Sequence, residues 1–317
     1  MKSSLRMGAF AIVAVASLGS VARAELIYGM TAAGSGSVNP GLGLVSFDSA
    51  TPGTVNTIGN FSGVVAGHSV RSIDFRPSNG LLYAVSSNGA AGQLYTVNLS
   101  NASLTMVGSG FTMGATTSAA IEMDFNPVAD AVRIMTGGAT DNSFRVNANT
   151  GALAAQDTNI AYDATDPNFG STPFIAAGAY GNNFAGTTTT TLYAWDYGND
   201  ALTRVGGLNG PPSPNAGNMF TINEPAGFLT FNAGMGMDIS GATNILYVTH
   251  DDPATGAISG LYTRDLTTGA QTFVGAYGNG LFVNDLSVVA VPEPATLSLL
   301  GLGLAGLVAK RRKNKRN

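Results

Sequence analysis

Ile73-Asp74-Phe75-Arg76-Pro77-Ser78-Asn79-Gly80-Leu81-Leu82-Tyr83-Ala84-Val85 is the stretch from which the fold is read. Two short apolar runs suited to a pleated surface flank a turn, and Asn79-Gly80 supplies the positive φ of a tight hairpin. Gln93-Leu94-Tyr95-Thr96-Val97 and Leu104-Thr105-Met106-Val107-Gly108 follow, so the unit is four short strands. The unit recurs. Met123-Asp124-Phe125-Asn126-Pro127 opens a second copy, continued by Ala131-Val132-Arg133-Ile134-Met135, Ser143-Phe144-Arg145-Val146-Asn147 and Thr150-Gly151-Ala152-Leu153. A later copy holds Met237-Asp238-Ile239, Asn244-Ile245-Leu246-Tyr247-Val248, Gly260-Leu261-Tyr262-Thr263-Arg264 and Gln271-Thr272-Phe273-Val274-Gly275. Between them, Thr191-Leu192-Tyr193-Ala194-Trp195 and Ala201-Leu202-Thr203-Arg204-Val205-Gly206 read as the end of a degenerate copy.

Four strands per repeat make the blade of a β-propeller. The landmark aspartates Asp74, Asp124, Asp238 and Asp285 are 50, 114 and 47 residues apart, so the middle interval holds two blades and the count is five. The chain enters mid-blade: Leu26-Ile27-Tyr28-Gly29 matches a second strand, Gly43-Leu44-Val45-Ser46-Phe47 a third and Val55-Asn56-Thr57-Ile58-Gly59 a fourth. The missing first strand is Leu281-Phe282-Val283-Asn284-Asp285-Leu286-Ser287-Val288, and its pairing with the N-terminal blade would close the ring and hide two sheet edges. The expected fold is all-β, a propeller of five four-stranded blades. The poor fourth copy leaves a six-bladed ring or an open β-sandwich as alternatives.

Both ends read as addresses. Lys2 and Arg6, an apolar run to about Leu18, and Val21-Ala22-Arg23-Ala24 form an export signal over residues 1–24, with signal peptidase cutting after Ala24. The folded domain then spans residues 25–290. Beyond it lie Val291-Pro292-Glu293-Pro294, an uncharged stretch over 295–309, and the basic run Lys310-Arg311-Arg312-Lys313-Asn314-Lys315-Arg316-Asn317. The two prolines keep Glu293 extended, and the basic run resists translocation. As a helix the uncharged stretch spans about 22 Å, short for a hydrocarbon core of about 30 Å. Residues 291–317 resemble the PEP-CTERM sorting signals of Gram-negative bacteria that make extracellular polysaccharide. That resemblance implies a membrane protease, exosortase, cutting near Pro-Glu-Pro, a transient inner-membrane tether, and delivery to the cell surface or beyond. A permanent single-span anchor is the alternative. Gly301-Leu302-Gly303-Leu304-Ala305-Gly306 fits a dinucleotide-binding pattern only in letters, because no βαβ unit surrounds it.

Without the two signals the balance of charge changes. Residues 25–290 carry eighteen acids and six arginines, with no lysine, for a formal charge of −12. Such a body repels nucleic acid. Cysteine is absent, which excludes a disulfide framework and thiolate metal sites.

On a strand, neighbours point opposite ways, so Asp74, Asp124, Asp238 and Asp285 face away from their apolar neighbours and toward the propeller axis. Converging carboxylates repel and invite a hard cation such as Ca²⁺. The competing reading is structural: each Asp accepts backbone or arginine hydrogen bonds and shapes its own blade, with Arg76, Arg133, Arg145 and Arg264 as the nearby donors. His250-Asp251-Asp252 reads as a metal or proton-relay group or as a polar loop, and His68-Ser69 as a fragment of a triad with no geometry to support it. Residues 157–172, with Asp163, Asp166 and Asn168, and residues 207–234 read as long loops.

The body resembles an uncharacterised family of secreted bacterial domains of unknown function that carry Asp-Phe-x-Pro-x-x-x-x-Leu-Tyr and Leu-Tyr-Thr-Val phrases. The stretch from Tyr180-Gly181-Asn182-Asn183-Phe184 to Thr191-Leu192-Tyr193 is similar to it as well. The resemblance implies a fold and no activity. The expectation is an exported, exosortase-sorted surface or matrix protein with a non-catalytic propeller that meets extracellular polysaccharide or surface proteins. The alternative is a secreted Ca²⁺-dependent hydrolase or polysaccharide lyase using the axial carboxylates.

Overall fold

The structure is a computed structural model and describes residues 24–33, 41–114, 120–138, 141–223, 235–252 and 258–290 of the 317. The predicted signal residues Ala22 and residues 1–23 around it lie outside these, as does the tail from Val291 through Pro292, Glu293 and Pro294 to Arg311, Arg312 and Asn317. In chain order, β1 (Leu26–Ala32), β2 (Gly43–Asp48) and β3 (Asn56–Asn60) begin the first blade. The second is β4 (Ser69–Phe75), β5 (Leu82–Ser87), β6 (Ala91–Val97) and β7 (Leu104–Thr112). The third is β8 (Ala120–Asn126), β9 (Ala131–Gly137), β10 (Ser143–Asn147) and β11 (Leu153–Gln156). The fourth contains β12 (Ala161–Tyr162), β13 (Ile175–Tyr180), β14 (Leu192–Asp196), β15 (Ala201–Val205) and β16 (Asn218–Asn223). The fifth is β17 (Gly236–Ile239), β18 (Leu246–Asp252), β19 (Ile258–Arg264) and β20 (Gln271–Ala276), after which β21 (Phe282–Val288) returns to the first blade.

That return closes the ring as the sequence pattern requires. β21 pairs antiparallel with β1, setting Val288 opposite Ile27 and Leu286 opposite Gly29. A Cβ on Gly29 would lie 2.8 Å from Val283 Cγ1, so this position keeps the closing strand seated only as glycine. The inner strands β21, β4, β8, β13 and β17 are each other's neighbours in that order around the axis. Gly80 and Gly151 sit in the β4–β5 and β10–β11 turns with φ of 68° and 65°, where a Cβ is strained.

The core is divided into wedges between blades. Met30, Leu44, Ile73 and Tyr95 pack between the first and second; Leu94, Phe125 and Phe144 between the second and third. Met135, Tyr180 and Leu192 fill the third junction, Trp195, Met237 and Leu246 the fourth, and Phe47, Leu261 and Leu286 the last. Each blade is therefore stabilised by both neighbours, as stacked repeats are.

The fourth blade departs from the pattern. Its inner strand is Ile175-Ala176-Ala177-Gly178-Ala179-Tyr180, small residues with no aspartate, and Met135 fills the space where a Cβ on Gly178 would stand 2.0 Å from its Cε. Residues 157–172 and 207–234, expected as loops, supply β12 and β16, which pair in parallel and give this blade a fifth strand. Asp166 binds them: its Oδ2 accepts from Thr221 N at 2.6 Å and its Oδ1 from Thr221 Oγ1 at 2.9 Å.

Candidate functional site

Two positions per inner strand face the axis, polar on β21, β4 and β8, half so on β17 and apolar on β13, and together they form a double belt. The upper pair series runs Asp285 and Ser287 on β21, Ser72 and Asp74 on β4, Glu122 and Asp124 on β8, Ala177 and Ala179 on β13, and Gly236 and Asp238 on β17. The belt links each blade to the next through main-chain donors, except the fourth to the fifth. Ile73 N donates to Asp285 Oδ2 at 2.7 Å and Phe75 N to Ser287 Oγ at 3.0 Å. Met123 N donates to Ser72 Oγ at 3.0 Å, Phe125 N to Asp74 Oδ2 at 2.8 Å, and Tyr180 N to Asp124 Oδ1 at 3.1 Å. Val288 N donates to Asp238 Oδ2 at 2.7 Å and ties the fifth blade to the first. Where Ala179 and Gly236 offer no acceptor, the amides of Ile239 and Leu286 turn to their own neighbours, Asp238 Oδ1 at 2.6 Å and Asp285 Oδ1 at 2.8 Å.

Three sequence expectations change here. Asp74, Asp124 and Asp238 converge with Asp285 beside them, and each of the four clamps the following blade, Asp238 and Asp285 also accepting an amide of their own strand. Asp285 stands in register with Ser72, not Asp74, because Ser287 occupies the equivalent of Asp74; the offset of two preserves the direction of the side chain and so escapes a period-2 reading. The arginines are not the aspartates' partners. Arg76 reaches across to Asp130 and, at 2.7 Å, Asn149 of the third blade; Arg133 donates to Tyr180 OH at 2.7 Å and to Asn215 of the fourth; Arg264 lies over the Trp195 ring at 3.9 Å. They clamp blade junctions away from the axis.

The axial groups are closed off from solvent, at 1–4 % exposure for Asp74, Glu122, Asp124, Asp238 and Asp285. Burial pushes all five carboxyls up, most strongly Asp74, Asp124 and Glu122, with mutual repulsion adding to those three. Asp238 rises to about 6 and Asp285 to about 7, again through burial. Hydrogen-bond counting agrees. Ser287 Oγ accepts from Phe75 N and stands 2.7 Å from Asp74 Oδ1 and 3.1 Å from Asp238 Oδ2. Its single proton serves one of them, so the other carboxyl must carry a proton of its own to bond this oxygen. Asp74, Asp124 and Asp238 each place a carboxylate oxygen within 4.8 Å of the others, and these three are the residues that could hold a hard cation.

The remaining candidates do not gather. His250 lies in β18, not a loop, buried and stacked on Tyr262 at 3.9 Å, with Gln271 Nε2 3.0 Å from its Nε2. Asp251 and Asp252 continue that strand. His68 Nδ1 meets Ser86 Oγ at 3.1 Å, and Ser86 meets Tyr95 OH at 3.0 Å, so Ser69 gains no base from it. Just before β1, Glu25 forms a clasp to the fifth blade: Tyr247 OH donates to its carboxylate at 2.9 Å and Thr243 Oγ1 at 3.0 Å, and Ser240 joins them.

Sequence reading missed an open recess of about 280 Å³ between the third and fourth blades. It is walled by Arg133 and Arg145, by Tyr180, and by turns that bring Thr189, Asn209 and Asn215 together. No local motif marks it, since its wall comes from turns far apart in sequence.

A family model described as Domain of unknown function (DUF4394) matches residues 43–287, and the PEP-CTERM protein-sorting motif matches residues 290–313. The motif implies export and sorting by exosortase, with a membrane-anchored sorting signal. No helix among the described residues is long and apolar enough to cross a membrane. No curated protein matches the chain. Among solved structures, the nidogen/laminin complex is similar at 10 % identity and TM-score 0.45, covering 84 % of this chain and 98 % of that one. The Pseudomonas aeruginosa periplasmic gluconolactonase PpgL is similar at 14 % identity and TM-score 0.40, covering 85 % and 99 %. A putative 6-phosphogluconolactonase from Bacteroides uniformis is similar at 16 % identity and TM-score 0.41, covering 80 % and 82 %.

Proposed function

Because the chain belongs to the DUF4394 family and carries a PEP-CTERM sorting motif, we propose that it is a non-catalytic binding propeller displayed at the cell surface or in the extracellular matrix. One observation carries this reading. The acidic groups best placed for chemistry are sealed at the axis and tied to main-chain donors of adjacent blades, whereas the recess that opens to solvent offers amides, hydroxyls and guanidinium groups. Such a lining recognises ligands through hydrogen bonds, and among the described residues it contains no carboxylate to act as acid or base. After processing by signal peptidase and exosortase, the propeller would meet extracellular polysaccharide or other surface proteins. Retention of the intact protein on polysaccharide or surface extract of its host, without turnover of glycan or ester substrates, is the expected result. Failure to be retained on any such material would overturn it.

A second reading rests on the 4.8 Å grouping of Asp74, Asp124 and Asp238. With Ca²⁺ bound there, the protein would be a secreted hydrolase or polysaccharide lyase. Elemental analysis and calcium-dependent melting of the purified protein, with turnover assays of Asp74→Asn and Asp124→Asn, separate the two. Stoichiometric calcium together with turnover lost in both variants selects the enzyme.

A further inference from the structure

The recess between the third and fourth blades reverses the charge balance of the body that surrounds it. Arg133 on β9 and Arg145 on β10 face each other directly across the strand pair, a placement of like charges that costs stability unless an anion intervenes. One carboxylate serves both: Asp157 Oδ2 lies 3.0 Å from Arg133 Nη1, and Asp157 Oδ1 lies 2.8 Å from Arg145 Nη2. Two cations against one anion leave a net positive charge, and among the described residues none that lines the recess is acidic. The two arginines have different employment. Arg133 is buried and spends its guanidinium on Tyr180, Ser143, Asp157 and Asn215. The Arg145 side chain is 37 % exposed and turns Nε and Nη2 to Asp157, leaving Nη1 available at the wall of the recess.

From this arrangement we infer that the recess binds a carboxylated sugar, a uronate residue of an acidic saccharide, with Arg145 as the anchor of its carboxylate. This rests on the reading of the propeller as a binding module and names its ligand class. Guanidinium groups bind carboxylates through short, charge-assisted hydrogen bonds, and Nη1 has two N–H groups to give. Thr189, Asn209 and Asn215 supply the hydroxyl and amide groups that match sugar hydroxyls, and Val128, Leu192 and Pro214 give the apolar surface against which a pyranose C–H face packs. At about 280 Å³ the space suits a single sugar ring with its linkages, below the range of roughly 300–1,000 Å³ typical of sites for larger small molecules. The formal −12 of the body does not forbid this, because distant charges are screened over about 8 Å at physiological salt while the guanidinium acts at contact. It does restrict the mode: one residue is taken into the recess, and a long polyanion is not laid along the surface.

Titration calorimetry on the full-length protein in detergent tests the assignment, with a galacturonate trisaccharide as probe. Its methyl ester, which keeps every hydroxyl and removes the charge, and inorganic phosphate serve as the comparisons. The acidic trisaccharide binds at least tenfold more tightly than its ester, is not displaced by equimolar phosphate, and loses at least tenfold in affinity with Arg145→Gln; Asn209→Ala, at an exposed turn, weakens it independently. Equal binding of acid and ester, displacement by phosphate, or an unaffected Arg145→Gln protein overturns the inference. If host polysaccharide or surface extract still retains the Arg145→Gln protein, the binding function stands and only this site falls. If nothing is retained by the unaltered protein, the functional reading falls with it. If the trisaccharide is bound through Arg145 and also cleaved, the site stands and the non-catalytic reading falls.

Discussion

The axis and the recess are built from the same materials and reach opposite ends. At the axis, five carboxyls crowd together with hydroxyls and main-chain amides, and the aspartates' bonds run to those groups. In the recess, two guanidinium groups share one carboxylate and the rest of the lining is neutral. The axis is sealed, so its excess of charge is resolved by protonation and by amides of the neighbouring blade. The recess opens to solvent, so its excess can persist and is available to a ligand. Buried carboxyls hold a fold together once their charge is removed, and excess charge that is exposed can recognise something.

Substitutions at the axis should have the largest effects. Asp74→Ala strips the acceptor from Phe125 N and a partner from Ser287 in a sealed site, and should cost roughly 3–5 kcal/mol in denaturant unfolding. Asp74→Asn keeps the acceptor without the charge and should be nearly neutral at pH 5 and more stable than the unaltered protein at pH 8. Destabilisation of Asp74→Asn at both pH values would show that the axis needs its charge, as a resident cation would require.

At the recess, Arg133→Ala removes the clamp between the third and fourth blades, though Asp157 keeps Arg145 as partner. A loss of about 3 kcal/mol is expected, smaller than for a buried pair left with an unpaired ion.

The pH profile sharpens the same contrast. The axial carboxyls are raised in the folded protein, so the stability they confer is complete below the unfolded carboxyl range near pH 4 and is lost as pH rises through about 6 and 7, where Asp238 and Asp285 ionise. The melting temperature should fall by roughly 5 °C between pH 5 and pH 8. Asp285→Asn should flatten that slope, and a flat profile in the unaltered protein would argue that a cation already neutralises the axis. The smallest effect belongs to Arg145→Gln: with the side chain 37 % exposed, its ion pair is screened, and a stability change of under about 1 kcal/mol is expected even as ligand binding is lost.

Much of this architecture is legible in the residues. Alternation on β4, β8, β17 and β21 points Asp74, Asp124, Asp238 and Asp285 inward because a strand has a period of two, and the mismatch between a blade entered at Leu26 and a strand left over after Leu281 demands closure. The fourth blade is hard to read because its inner strand replaces bulk and charge with alanine and glycine, its packing supplied by Met135 from next door. The role of the arginines is invisible for a related reason: Arg76, Arg133 and Arg264 find their partners in the following or preceding blade, at distances along the chain that repeat alignment does not measure.

The chain alone therefore determined the strand unit, the closing strand, the inward direction of the aspartates and the C-terminal address, all properties that follow from local periodicity and residue chemistry, while it favoured five blades over six without deciding between them. Tertiary structure alone decided which amide each carboxylate receives, that Ser287 rather than Asp285 matches Asp74, and that Arg133 and Arg145 meet turns of the fourth blade around an acid-free recess. Those outcomes depend on how neighbouring blades are rotated against one another, a relation between surfaces that no single strand encodes.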